Sequence, residues 1–229
     1  MAIRKLLATI TFLFFSSLNA TAFAENFYVE AGISQYAFDD VTTQSYSDTV
    51  SGITFTNARL SLDYSSSSTF DFEVGGYLSK NLRLGLSISN PDLDFSSATL
   101  SGTISDGSTT LDASTTVTRA DLTSIDADLE LQTQLTMVNL YLDLEKTGSL
   151  VPFFGLGFGI ANIKWDGGTS GNKDALSFSS GFKYEFGENY YVCLKGSYFS
   201  LQGSVSDGLG ITYDDIAGTS ANLSFGYKF

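Results

Sequence analysis

The 229 residues include no histidine. Carboxylates and amines are therefore the side chains left in this sequence for acid–base chemistry. Histidine is the usual base that activates a serine or cysteine nucleophile near neutral pH. Aspartates are abundant, but no pair of them has a spacing that defines an acid–base site. Cys193 is the single cysteine, so an internal disulfide is impossible and an inert strand residue is expected. The sequence therefore predicts no enzymatic activity, catalytic residue, cofactor or metal site.

Nine charged residues stand out by their position within segments where apolar and polar residues alternate. In the last nine residues, ANLSFGYKF, large apolar side chains occupy every second position. Such alternation predicts a β-strand with one apolar and one polar face. Every charged residue of these segments lies at a polar position of the alternation. These residues are Glu30, Asp71, Glu73, Arg83, Asp143, Lys183, Glu185, Lys195 and Lys228. We predict that they form a charge network on the polar side of one sheet.

The alternating segments predict eight strands, at residues 26–36, 69–79, 82–90, 133–144, 151–162, 175–186, 189–200 and 218–229. The strands of a soluble β-sandwich would show the same alternation of apolar and polar residues, but the lengths of the connections distinguish a sandwich from a membrane barrel. Long connections alternate strictly with short turns, an asymmetry typical of barrels with short periplasmic turns and long external loops. The predicted fold is therefore all-β, a transmembrane eight-stranded antiparallel up-and-down β-barrel with long extracellular loops. A ten-stranded barrel that uses loop segments is the alternative.

The N-terminus predicts export. Arg4 and Lys5 precede an apolar run that is too short to span a bilayer as a helix, and small residues follow at Ala22 and Ala24. This order is typical of a secretory signal peptide, here residues 1–24, which would leave the barrel domain at 25–229. An N-terminal membrane anchor is the alternative. Cleavage of the signal and insertion in the bacterial cell outer membrane are the expected outcome.

Aromatic residues recur at the predicted periplasmic ends of the strands, on the apolar face. An aromatic girdle at the boundary between headgroups and hydrocarbon is predicted from this shared depth. Its members are Phe27, Phe154, Tyr184, Phe186 and Tyr190, with Tyr227 and Phe229 at the C-terminus. The last strand must pair with the first, because an open edge in lipid would leave backbone groups without hydrogen bonds.

The polar face predicts the contents of the barrel. Glycines share this face with the nine charges, and an eight-stranded barrel is just wide enough for side chains to fill. Buried charges persist only when they are paired and hydrogen-bonded. We expect an ion-pair network that plugs the lumen. The alternative is a narrow channel for ions or small molecules.

The predicted external loops carry most of the negative charge. The whole chain has a net charge of −13, which excludes nucleic acid as a partner because its phosphates require lysine and arginine. The aspartates concentrate in loops 37–68 and 91–132, and they do not match a calcium-loop motif. Residues 99–131 predict an external β-hairpin, and residues 52–65 a second one. Host or cell-surface ligands are possible partners of these loops, and a solvated, repulsive coat is the simpler alternative.

Several stretches resemble the small bacterial outer-membrane β-barrel family of OmpA-like, opacity-type and surface-antigen proteins. They are FEVGGYLSKNLRLGLSIS, MVNLYLDLEKTGSLVPFFGLGFGIA, LSFSSGFKYEFGENYYVCLKGSY and the terminal LSFGYKF. The last of them, through Leu223, Phe225, Tyr227 and Phe229, is similar to the signal that hands such barrels to the outer-membrane assembly machinery. The resemblance implies an eight-stranded barrel in contact with outer-membrane lipid and lipopolysaccharide. It implies little about activity, so we expect a structural or surface-interaction role, adhesin- or antigen-like.

Overall fold

The computed structural model describes residues 27–122, 131–165, 170–203, 205–206, 212–213 and 215–229. The predicted signal peptide, 1–24, lies outside these residues. The strands are β1 Phe27–Phe38, β2 Val41–Thr42, β3 Tyr46–Val50, β4 Ile53–Tyr64, β5 Ser67–Ser79, β6 Leu82–Ser89, β7 Asp92–Leu93, β8 Phe95–Ser105, β9 Thr110–Thr118, β10 Leu131–Asp143, β11 Leu150–Trp165, β12 Ser170–Phe186, β13 Tyr190–Gln202, β14 Val205–Ser206, β15 Thr212–Tyr213 and β16 Ile216–Lys228. A one-turn helix, α1, spans Arg119–Leu122. Within the described ranges, no helix is both long and apolar enough to cross a bilayer.

Eight long strands close into one antiparallel barrel, in the order β1, β5, β6, β10, β11, β12, β13 and β16. The predicted eight-stranded fold is confirmed. β16 pairs with β13 on one side and with β1 on the other, from Tyr28 opposite Lys228 to Phe38 opposite Gly218. The first and last strands therefore close the sheet as predicted, which leaves no barrel edge exposed to lipid. The ten-stranded alternative is wrong, because eight long strands close the barrel. Of the additional strands, the two-residue β7 pairs with the external end of β10, and the others pair among themselves outside the barrel.

The barrel wall is apolar outside and polar inside. Ile33, Leu156 and Leu223 are 56%, 50% and 59% exposed, whereas Ser34 and Asn222, each next to one of them in sequence, are 1% and 2% exposed. Side chains alternate across a strand, so the period of two in the sequence assigns each residue to one side. A continuous exposed apolar belt is the opposite of a water-soluble protein and suits the hydrocarbon of a bilayer.

The third external connection is shorter than predicted. β11 and β12 are 16 and 17 residues long, and their pairing continues to Lys164 opposite Ser170. Only residues 166–169 join them, so connection lengths do not alternate strictly between long and short. The apolar alternation that locates a strand fades where the strand leaves the membrane, although backbone hydrogen bonding continues.

The first two external loops fold together into a second sheet, which we call the external sheet: β2, β3, β4, β8 and β9. The predicted hairpin of the second loop is present as β8 and β9, joined by the four-residue turn 106–109. The segment predicted at 52–65 forms β4, which pairs with β3 and, across the two loops, with β8 from Thr54 opposite Ser105 to Tyr64 opposite Phe95. Two external loops therefore form one ordered structure.

Asp106 fixes the turn at the tip of the external sheet. Its carboxylate accepts hydrogen bonds from the Thr109 amide at 2.7 Å, the Ser108 amide at 2.9 Å and the Ser108 hydroxyl at 2.8 Å. These donors lower the pKa of Asp106 to about 2. A lowered pKa in the folded state means that the turn is stabilised above the ordinary carboxyl pKa and loses this stabilisation as the pH falls through about 2.

We therefore expect the Asp106 carboxyl to titrate near pH 2, as measured by carbon NMR of the side chain. Asp106→Ala should speed amide hydrogen exchange at Ser108 and Thr109, because their acceptor is removed. The exposed carboxylate of Asp63 makes no hydrogen bond to the described residues, so Asp63→Ala is the matched control. Equal exchange rates in the two variants would contradict the assigned role of Asp106.

Candidate functional site in the barrel lumen and the external sheet

The structure places all nine predicted lumen charges on the inner side of the barrel wall, where none is exposed. It does not join them in one network. They form three groups at different heights, which are described below from the periplasmic end upward. The side with the short turns is taken as periplasmic.

Glu185 organises the group at the periplasmic mouth. Its carboxylate forms ion pairs with Lys146, at 2.5 Å, and with Lys228. Lys146 was missed by the sequence analysis because it lies in the turn after β10, where no strand periodicity marks it. An open cavity of about 600 Å³ lies here, and Lys80, Lys146, Lys183, Lys228 and Tyr77 are among its lining residues.

Arg83 and its partners fill the lumen above this mouth, and we call this group the arginine layer. Arg83 Nε donates to Asp143 Oδ1 at 3.1 Å, and Lys183 forms an ion pair with the other oxygen of the same carboxylate. Lys183 also donates to the Tyr77 hydroxyl at 3.1 Å. One buried carboxylate therefore holds two buried cations, which costs much less than leaving either cation unpaired.

Aromatic rings complete the arginine layer. The Arg83 guanidinium carbon lies 4.0 Å from the centre of the Tyr141 ring, 4.9 Å from that of Phe153 and 5.4 Å from that of Tyr28. These distances are within the range of cation–π attraction. Arg83, the three rings and Tyr191 are all buried. Side chains rather than water therefore occupy the cross-section of the barrel at this height.

Three of the lumen tyrosines lie against glycines directly opposite them on the neighbouring strand. Tyr28 is opposite Gly75, Tyr141 is opposite Gly155, and Tyr191 is opposite Gly226. A Cβ atom added to any of the three glycines would collide with the facing ring. The inward glycines therefore make room for the rings that fill the lumen.

Gly226→Ala is expected to destabilise the barrel by about 1–3 kcal/mol, the usual cost of forcing an extra group into a packed interior. The new methyl group would overlap the Tyr191 ring, which would have to leave its place beside Glu30. Urea unfolding of the refolded barrel in micelles measures the change. Gly196→Ala is the matched control, since a Cβ there has open space around it. The packing account fails if both variants unfold at the same urea concentration.

The third group, in the upper half of the lumen, holds Glu30, Asp71, Glu73 and Lys195. Hydroxyls and amides, rather than cations, bind these carboxylates. Glu73 accepts from the hydroxyls of Tyr28 and Tyr141 at 2.6 and 2.7 Å, and from Asn139 at 3.0 Å. Within the described chain, no carboxylate lies within ion-pair distance of Lys195, whose ammonium donates to the Tyr141 hydroxyl at 3.4 Å.

The other two carboxylates of this group have partners of the same kind. Glu30 accepts from the hydroxyls of Ser224 at 2.6 Å and Tyr191 at 3.0 Å. Asp71 accepts from Ser34 and, at 3.1 Å, from the amide of Asn222. The sequence analysis missed these tyrosines, serines and amides, although they have the same inward parity as the charges.

A cavity of about 70 Å³ lies in the upper half of the lumen, and we call it the upper chamber. Glu30, Asp71, Glu73, Lys195 and Asn222 line it, together with several serines. Its external end is apolar, where Tyr36, Phe199 and Leu201 belong to a buried cluster that continues into the loops. No described residue lines both this chamber and the periplasmic cavity.

The predicted girdle residues lie at the periplasmic end of the barrel wall. Phe154, Tyr184, Phe186 and Tyr190 are exposed, and Phe27 is half-buried. Outward rings contact one another across strands, with centroids 6.1 Å apart for Phe186 and Tyr190. The C-terminal aromatics continue this row: the ring centroids are 5.1 Å apart for Tyr190 and Tyr227, and 4.9 Å apart for Tyr227 and Phe229. The Phe229 amide donates to the Phe27 carbonyl at 2.9 Å.

Solved structures of two outer-membrane proteins are similar to this chain. The crystal structure of Neisserial surface protein A is 11% identical, with a TM-score of 0.53, over 89% of this chain and 97% of that one. The outer membrane protein OprG from Pseudomonas aeruginosa is 14% identical, with a TM-score of 0.51, over 90% of this chain and 97% of that one. At these identities the likeness concerns the fold. No curated protein matches the sequence.

The model of one protein family matches residues 8–229, and its description is outer membrane protein beta-barrel domain. The match covers almost the whole chain, including all strands of the barrel. The resemblance predicted from the sequence is therefore confirmed, and the bacterial outer membrane is the place where such a barrel resides. The chain belongs to the outer membrane protein beta-barrel family.

Proposed function

We propose that this protein is a closed outer-membrane scaffold that presents the external sheet to other cells, in a surface-interaction role. The observation that carries the proposal is the pairing of β4 with β8, which joins two separate loops into one sheet. Each loop residue that becomes ordered in this sheet costs about 1–2 kcal/mol in backbone entropy. A coat that only repels other molecules would gain nothing from this order.

The filled lumen supports the scaffold role. The arginine layer separates the upper chamber from the periplasmic cavity, and its large side chains are fully buried. Catalysis is not expected, because the chain has no histidine and Cys193 is buried in the wall of this layer. Partners are therefore expected at the external sheet rather than in the lumen.

Charge and shape indicate the chemistry of a partner. Residues 39–66 and 90–122 contain nine aspartates and two arginines, a net charge of −7. One part of the sheet also forms an apolar concavity of about 210 Å³, lined by residues that include Tyr46, Phe55, Leu100 and Ile104. A protein surface with an apolar centre and a basic rim would complement it, and its association should weaken as salt rises.

A barrel without the external sheet tests the proposal. Residues 41–64 and 95–118 are each replaced by a short Gly-Ser turn, and both proteins are expressed in a non-adherent bacterium. Heat-modifiable gel mobility verifies that both barrels are folded. We expect adherence to cultured host cells, or to cells of the same bacterium, only with the complete chain. Equal adherence by the two barrels would contradict the proposal.

The two predicted signals belong to the same proposal. Residues 1–24 would direct export and then be removed. The C-terminal signal would direct the chain to the outer-membrane assembly machinery through Leu223, Phe225, Tyr227 and Phe229. The exposed Phe225 on the last strand and Phe229 just after it support the second role, because an outward row of side chains remains accessible until the barrel is inserted. Lipid and lipopolysaccharide would then surround the apolar belt.

A narrow channel is the second candidate, and one observation favours it. Cavities of about 70 and 600 Å³ lie on the two sides of the arginine layer, so this layer alone would have to move to join them. In that case Arg83→Ala would give conductance steps in a planar bilayer that differ from those of the wild-type protein.

A further inference from the structure

The upper chamber contains more negative than positive charge. Glu30, Asp71 and Glu73 line it, and Lys195 is the one cation among its described lining residues. With all four ionised, the net charge is −2, and the arginine layer below offsets it by +1, because Arg83 and Lys183 share Asp143. One negative charge is left without compensation. Buried charges are stable only when they are paired and hydrogen-bonded, so the chamber needs a further positive charge.

Two oxygen atoms of the chamber have no donor. Asp71 Oδ1 and Asn222 Oδ1 are buried and make no hydrogen bond to the described residues. Asn222 is only 2% exposed. Leaving such an acceptor without a partner costs about 1–3 kcal/mol, and more for a charged group. These two atoms are therefore where a ligand of the chamber would bind.

The orientation of the Asn222 amide is fixed by its neighbours. Its nitrogen donates to Asp71 Oδ2 at 3.1 Å and to Ser34 Oγ at 2.9 Å, and the Ser34 hydroxyl donates to the same Asp71 oxygen. Flipping the amide would place its oxygen against the Asp71 carboxylate, which offers no proton. The amide oxygen must therefore face away from these two acceptors, and no described side chain donates a hydrogen bond to it.

The free oxygens also indicate the charge of the ligand. Both oxygens of Glu73 are occupied by tyrosine and asparagine donors, and both oxygens of Glu30 by Ser224 and Tyr191. Asp71 is thus the one carboxylate of the chamber with a free oxygen. Within the described residues no group of three or more acidic, histidine or cysteine side chains could hold a metal ion. Calcium and magnesium prefer more oxygen ligands than one free carboxylate and one amide supply, so the ligand should carry a single positive charge.

We propose that the upper chamber binds one small monovalent cation, of the sodium type, through Asp71 Oδ1 and Asn222 Oδ1. The cavity of about 70 Å³ has room for the ion and several waters, since one water needs about 10–15 Å³. Neighbouring serine hydroxyls, among them Ser89 and Ser220, supply further oxygens. The arginine layer lies below the ion and the apolar cluster lies above it, so we expect the ion to be a fixed part of the folded barrel.

Refolding in different salts tests this site. The mature chain is refolded into detergent micelles in sodium chloride or in choline chloride at equal ionic strength, and its unfolding in urea is followed by gel mobility. Unfolding should be at least about threefold slower in sodium, the effect of a ligand at twice its dissociation constant. Asp71→Asn, which keeps the shape but removes the charge, should abolish the difference, and Asp63→Asn on the external sheet should keep it.

A second measurement on the wild-type protein does not depend on whether a variant folds. After desalting into choline buffer, atomic emission should find stoichiometric sodium in the folded barrel and none in the urea-unfolded chain. Equal unfolding rates in both salts without retained sodium would overturn the proposal. So would an infrared carbonyl band of a protonated carboxyl that disappears in Asp71→Asn, because a proton would then supply the missing charge.

Discussion

Asp143→Ala is expected to destabilise the folded barrel by about 3–5 kcal/mol, the cost of leaving buried charges without their partner. Asp143 is the carboxylate that Arg83 and Lys183 share, and all three residues are buried. Its removal leaves two cations side by side, where they also repel each other. Unfolding in urea, with the folded fraction read from gel mobility, measures the loss.

Glu145→Ala is the control for the Asp143 variant. Glu145 lines the same periplasmic cavity but is exposed and forms no ion pair with the described residues, so its removal should change the free energy of unfolding by well under about 1 kcal/mol. A triple variant, Arg83→Met with Asp143→Leu and Lys183→Met, should recover much of the loss, because apolar side chains often replace a buried ion network without cost. Similar stabilities of the two single variants would show that Asp143 does not hold the layer.

Leu156→Arg is expected to cost about 2–4 kcal/mol, the penalty for a cation on the lipid side at the bilayer midplane. Leu156 is half exposed, in the middle of β11 and opposite Leu140. The arginine could reach water only by extending along the barrel wall. Urea unfolding from lipid vesicles measures this penalty, whereas micelles would hide it.

The matched control for Leu156→Arg is a lipid-facing residue at a different depth in the bilayer. Leu144 is also exposed on the outer side but follows the periplasmic end of β10, where a cation costs only about 0–1 kcal/mol. If the Leu144→Arg variant is destabilised as much as Leu156→Arg, the proposed position of the bilayer along the barrel is wrong.

The strands of the barrel could be predicted because their signal is local. A period of two within each segment identifies a strand, and the boundaries agree to a few residues: 82–90 was predicted and Leu82–Ser89 is observed for β6. The same period assigned every lumen charge to the inner side. Where the membrane ends, the period fades, which explains why β11 and β12 are longer than expected.

The partners of the lumen residues could not be predicted, because they depend on the offset between strands that are distant in sequence. Nothing local indicates that Asp143 binds both Arg83 and Lys183, or that Glu30 is held by hydroxyls. The pairing of β4 with β8 could not be predicted from the sequence for the same reason. Each segment has a strand signal of its own, but the match between two loops does not appear in either one.

A planar-bilayer recording tests the closed lumen most directly. The mature chain is refolded into liposomes, its barrel is verified by heat-modifiable mobility, and single-channel currents are recorded after fusion. Because the arginine layer fills the cross-section and no described residue lines both cavities, the verified barrel should give no conductance steps. Reproducible steps that change in amplitude with Arg83→Ala or Lys195→Ala would contradict the account and establish a channel through the lumen.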